Sequence, residues 1–201
     1  MNKIRKLISG MIIIVLVICM AGCSSSNNMA DSAVKAAKEY GIEEVADLGE
    51  LFKVVTNTSA KKSAFLAGEK ELAAKAYEET FNSSNSLPQK EIEKYVFIVV
   101  YENGETDVNR SQCAVVNFKE KKDAREIYEK CKETLILNDG VSHGEDKGMS
   151  YIFERYEKSA RPIFRAFYLK DNCVIRYTSY CGPGENTGFS EYFLNKMGLK
   201  S

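Results

Sequence analysis

The 201-residue chain has no tryptophan, one histidine and three prolines. Without tryptophan it lacks the usual sugar-stacking platform. A single histidine, His143, leaves little scope for imidazole chemistry. Neither sign of charge is in excess: 28 basic side chains stand against 28 acidic ones. A nucleic-acid partner is therefore not expected, because that affinity comes from neutralising phosphates with Lys and Arg. The hydrophobic share of 44% is too high for a disordered chain. Six cysteines are too few for a scaffold held by disulfides alone. No Gly-x-Ser-x-Gly elbow occurs anywhere in the sequence.

What is present starts at the N-terminus, with MNKIRKLISGMIIIVLVICMAGC. Lys3, Arg5 and Lys6 form a positive region, and every residue from Met11 to Ile18 is a large aliphatic. The apolar run is shorter than the ~20 residues of a spanning helix. It ends in Met20-Ala21-Gly22-Cys23. A charged start, a short apolar middle and a small-residue exit mark an export signal. The exit resembles the lipobox of bacterial lipoproteins, with Met20 where that family usually has Leu. The resemblance covers residues 1–23 and says nothing of 24–201. It implies that Cys23 takes a diacylglycerol on its thiol and becomes the new N-terminus. Two acyl chains suffice for stable anchoring where one is marginal. The expected location is a cell membrane or an outer membrane, lipid-anchored and facing away from the cytoplasm.

The expected organisation is a signal peptide over 1–22, a lipidated Cys and flexible tether over 23–29, and one domain over 30–201. Processing leaves 179 residues with 25 basic and 28 acidic side chains, so the balanced charge of the precursor conceals a mildly acidic domain.

Apolar spacing predicts short helices over 31–41 and 43–55 and a longer, Ala- and Lys-rich one over 60–81. The character changes at Tyr95–Tyr101, a β-branched and aromatic run that reads as a strand. A second strand follows at 113–118, then an amphipathic helix over 121–137 and a polar loop over 138–148. Strands over 149–157, 162–170 and 172–180 and a last helix ending near Met197 complete the chain. The prediction is an α+β fold: N-terminal helices, then β-β-α-β-β-β-α. About five mainly antiparallel strands would carry helices on one face.

Four thiols remain after processing and acylation: Cys113, Cys131, Cys173 and Cys181. Cys131 lies on the apolar stripe of its helix and Cys173 alternates with apolar neighbours. Cys131–Cys173 and Cys113–Cys181 are therefore the candidate disulfides in an exported domain, with buried free thiols as the alternative. Spacings of 18, 42 and 8 residues do not match zinc modules, and no metal is expected. Glu102, Glu105 and Asp107 surround a turn at Asn103-Gly104 and fit no calcium-loop pattern. The Gly-rich stretch 182–188 lacks the Lys of a phosphate loop.

Aromatic content is more informative. Eleven of the 43 residues from Tyr151 to Phe193 are Tyr or Phe, at both parities of the strands. Tyr156, Tyr168 and Tyr180 are the candidates for an exposed aromatic binding face. The expected function is a non-catalytic, membrane-anchored lipoprotein that binds an envelope protein or ligand, with no cofactor. Two alternatives are a small envelope hydrolase or thiol enzyme using His143, and a structural or immunity-type lipoprotein.

Cys23→Ala is expected to leave an uncleaved precursor that incorporates no palmitate. Intact mass of the membrane-extracted wild-type protein checks this, and a mature chain starting elsewhere than Cys23 would refute it.

Overall fold

Seven strands hydrogen-bond into one antiparallel sheet in a computed structural model of the chain, which describes residues 28–82, 87–103, 108–135, 140–156, 163–180 and 188–201. The strands are β1 (Ser63–Glu69), β2 (Ile92–Asn103), β3 (Val108–Phe118), β4 (Val141–Asp146), β5 (Met149–Tyr156), β6 (Ile163–Lys170) and β7 (Cys173–Tyr180). Their spatial order is β1-β2-β3-β7-β6-β5-β4. Two meanders are thus joined where β3 lies beside β7, from Arg110↔Tyr180 to Asn117↔Cys173.

The helices are α1 (Met29–Glu39), α2 (Leu48–Val55), α3 (Lys70–Tyr77), α4 (Lys121–Leu135) and α5 (Gly188–Met197). A π turn, Glu78–Asn82, continues α3. The α+β class is as predicted, but helices cover both faces of the sheet. On face one, α2, α3 and α4 pack over side chains such as Leu66, Phe97, Val116, Ile152 and Val174. On face two, α1 and α5 pack over Val96, Ile98, Val115, Tyr168 and Ile175. A strand buried on both sides needs apolar residues at both parities, and β2 and β3 have them. The alanines of α1 (Ala30, Ala33, Ala36 and Ala37) are fully buried and let that helix lie close to the sheet.

Two strands lie where none was expected. β1 falls inside the stretch read as one helix over 60–81. Its Ala64-Phe65-Leu66 core pairs with Val99, Ile98 and Phe97 of β2, and this pairing outweighs the helical propensity of the composition. Lys70, at φ +51°, separates the strand from α3. β4 replaces the predicted loop. It carries almost no apolar signal because it is an edge strand, exposed along nearly its whole length. Lys147 and Gly148, both at positive φ, form the two-residue turn into β5.

The two-sided cover also corrects the cysteine pairing. Cys131 packs on face one, together with Val174, whereas Cys173 packs on face two. The sheet lies between them, and both thiols are free. Adjacent residues of a strand point to opposite faces, so α4 lies against Val174 and not Cys173. Cys113 is likewise a free, buried thiol on face two, and Cys181 lies outside the described residues. Burial raises all three thiol pKa values: Cys131 to about 12, and Cys113 and Cys173 well above the ordinary range.

Maleimide is therefore expected to leave Cys113, Cys131 and Cys173 unmodified in the folded protein and to label all three after unreduced denaturation. Peptide mass mapping reads the result, and a Cys131–Cys173 bridged peptide would contradict this structure. Ala33→Leu should destabilise the domain by about 1–3 kcal/mol in urea unfolding, since overpacking forces α1 off the sheet.

Candidate functional site

β-Strand register assembles a polar strip on face one. In the first row, Tyr101, Arg110, Tyr180, Ile163 and Tyr156 stand side by side across β2, β3, β7, β6 and β5. In the next row stand Val99, Gln112, Thr178, Arg165 and Glu154. In the third, Arg176 interrupts the apolar Phe97, Ala114, Phe167 and Ile152. Three guanidinium groups and a buried carboxylate on a core-forming sheet face need partners, because unpaired buried charge is costly.

Two of the arginines have structural partners. Arg176 donates to the carbonyls of Thr80 (2.6 Å) and Phe81 (3.4 Å), and its guanidinium lies 4.7 Å from the centre of the Phe81 ring. It thereby closes the carbonyl end of the π turn, where a helix terminus leaves acceptors unmet. Arg165 pairs through Nε with Glu154, whose carboxylate is buried. Tyr101 donates its hydroxyl to the Val55 carbonyl at 2.6 Å, tying α2 to the sheet.

Arg110 differs. Its guanidinium lies 4.7 Å from the centre of the Tyr180 ring, a cation–π stack that orients it. Among the described residues it has no carboxylate partner. Tyr156, two strands from Tyr180 in the same row, is 53% exposed, the most open large apolar side chain among the described residues. The far end of face one thus presents a stacked cation without a carboxylate partner among the described residues and, three strands away in the same row, an exposed phenol.

The three tyrosines expected to share a face do not. Tyr156 and Tyr180 flank Ile163 on face one. Tyr168 is fully buried on face two and donates its hydroxyl to the Lys200 carbonyl at 2.5 Å. An odd residue separation along β6 puts Tyr168 opposite Ile163. Tyr168 is a core residue and leaves the candidate site. Arg110 enters it, and the signal for it was the alternation of Arg110 and Gln112 with buried neighbours in β3.

Other candidates fall elsewhere. His143 stands exposed on edge strand β4, opposite Ile152. Glu102 is not merely a hairpin-tip charge. Its Oε1 accepts from the Tyr40 hydroxyl at 2.8 Å, and its two oxygens accept from the Phe189 amide at 3.2 and 3.4 Å. A carboxylate at the first amides of α5 compensates the helix dipole, and it joins the end of α1 to the start of α5. Burial and the Glu102 carboxylate raise the Tyr40 phenol to about 12. Glu105, Asp107 and Cys23 lie outside the described residues. Among the described residues no group of three or more His, Cys, Asp or Glu is placed to hold a metal ion. No helix among them is long and apolar enough to cross a membrane.

No family model matches the chain, and no curated protein does. One similar solved structure is the crystal structure of the extracellular domain of PknH from Mycobacterium tuberculosis. It is 11% identical with a TM-score of 0.43, covering 76% of this chain and 90% of that one. A likeness this slight carries no functional argument.

Proposed function

We propose that the protein is a lipid-anchored, extracytoplasmic binding domain without catalytic activity. Cys23 carries the anchor, and the Arg110 end of face one engages an envelope protein or ligand. The observation that supports the binding site is the Arg110–Tyr180 stack in the same row as exposed Tyr156, a cation held in place with no carboxylate partner among the described residues. Such a group offers a partner a charge-assisted hydrogen bond at little conformational cost, because the stack already orders the side chain. Tyr156 adds apolar contact at the rim, and Tyr and Arg are the residue types that dominate interface energies. The partner must therefore present an anionic group next to an apolar one.

A thiol-enzyme mechanism would ask for an electropositive, partly exposed cysteine with a depressed pKa. Cys131 has the reverse: it is buried, and burial raises its thiol to about 12.

The test is in-cell photo-crosslinking with a benzophenone amino acid replacing Tyr156. A discrete adduct is expected, absent when the same probe replaces exposed Lys35 on α1. Arg110→Glu should reduce it at least about tenfold, the loss of one charge-assisted contact, without changing the melting temperature. His143→Ala should leave it unchanged. Equal adducts from both positions, or none from Tyr156, would overturn the binding reading.

A further inference from the structure

The start of α1 is tied to one particular end of the sheet. Asn28 caps that helix, its Oδ1 accepting from the Ala30 amide at 3.0 Å. The same oxygen accepts from Asn117 Nδ2 at 2.6 Å, which fixes Asn28 beside the last residues of β3. Asn117 pairs in turn with Cys173, next to the Asp171-Asn172 turn between β6 and β7. The Arg110 strip lies at the other end of the same strands. Seven residues of β7, about 23 Å at ~3.3 Å each, separate Cys173 from Tyr180.

Only four residues, Ser24 to Asn27, stand between Cys23 and Asn28. Five residue steps reach at most about 17 Å when fully extended, and about 12 Å on average if flexible. A chain anchored at Cys23 therefore cannot turn its Asn28 end away from the bilayer.

That end has the chemistry of a headgroup-facing surface. Two adjoining hollows of about 370 and 560 Å³ share Lys121 and Asp171. Their walls include five cations, Lys119, Lys121, Lys122, Arg125 and Lys170, with Glu93, Glu145 and Asp171 in the walls and Glu91 and Glu120 at their edge, a locally balanced patch on a domain that is acidic as a whole. Lys170 and Arg125 have no ion pair among the described residues. The pairs Lys121–Asp171 (2.7 Å), Lys122–Glu120 (2.7 Å) and Lys119–Glu91 (2.8 Å) are solvent-exposed, and exposed pairs hold weakly enough to exchange partners.

We infer that the β6–β7 turn end of the domain docks on the bilayer surface, its lysines facing anionic phospholipid headgroups, and that the Arg110 strip points away from the membrane. This rests on the lipid anchor at Cys23 proposed above. The orientation gives the binding face access to partners in the envelope space, while the helix-covered faces stand roughly upright on the membrane. Lysine attraction to lipid phosphates falls off within a Debye length, so the short tether is what makes it effective.

The test uses the full lipidated chain in vesicles bearing an energy-transfer acceptor on their headgroups. A donor is placed at an introduced cysteine, Lys122→Cys or Tyr156→Cys, in a Cys181→Ser background. Transfer from position 122 is expected to exceed that from 156 at least about twofold, given the ~23 Å between the ends. Adding phosphatidylglycerol to phosphatidylcholine vesicles should raise transfer from 122. The combined change Lys119→Glu, Lys121→Glu and Lys170→Glu should abolish that rise while the protein still co-sediments. Co-sedimenting protein with equal transfer from both positions, or more from 156, overturns the orientation alone. Protein left in the supernatant overturns the anchor, and the orientation falls with it.

Discussion

The β3–β7 ladder is the constraint on which the rest of the architecture depends. It joins the β1–β3 and β4–β7 meanders, pairing residues 56 to 70 positions apart in the chain, into one sheet. Neither meander is wide enough to support helices on both faces alone. Joined, they present two apolar surfaces, and each gains its own helical cover. The residues at the seam show the result. Val115 and Ile175 face α1 and α5, while Val116 and Val174 face the opposite core. Such long-range pairing forms slowly because loop closure precedes its reward, so the local β5–β6–β7 meander is the natural early structure.

Much of this was legible in the chain. β2, β3, the three C-terminal strands, α4 and the final helix follow from runs, turns and apolar periodicity. The parts that were not legible share a physical cause: their structure is decided by neighbours distant in sequence. β1 has the composition of a helix and becomes a strand because β2 offers it hydrogen bonds and two apolar surfaces. β4 is a strand with no apolar pattern because an edge exposed on both sides needs none, and charge there discourages pairing with other chains. Helices on both faces could not be counted from periodicity, which reports that a stripe is buried and not against which side. The cysteine pairing and Tyr168 both failed on that one unknown. For the candidate site, Tyr156 and Tyr180 were visible as aromatics in strands. Arg110 was not singled out, since only the register with β7 sets it over Tyr180.

The polar groups divide by whether the fold uses them. Arg176 completes a π turn, Arg165 answers Glu154, and Glu102 holds the start of α5 and the end of α1 together. π turns often accompany functional sites, and here one lies beside the strip that carries Arg110. Of the three arginines on this face-one strip, Arg110 is the one left without a carboxylate or carbonyl partner among the described residues, at the end of the sheet opposite Asn28.

The thiols bear on how a domain of this size holds together. In an oxidising compartment a cysteine pair at bridging distance would be expected to close, and small exported domains often depend on it. Here Cys131 and Cys173 are kept apart by the sheet, and burial holds each as a neutral, unreactive thiol. A domain of this size buries enough surface to fold without cross-links, and two cores sharing one sheet are an efficient way to do so. Cys113, Cys131 and Cys173 therefore act as small apolar side chains. The one thiol given a covalent role in the proposed function is Cys23, outside the described residues. Under that proposal fold stability and membrane attachment rest on different groups, the two buried cores for one and the acyl chains on Cys23 for the other.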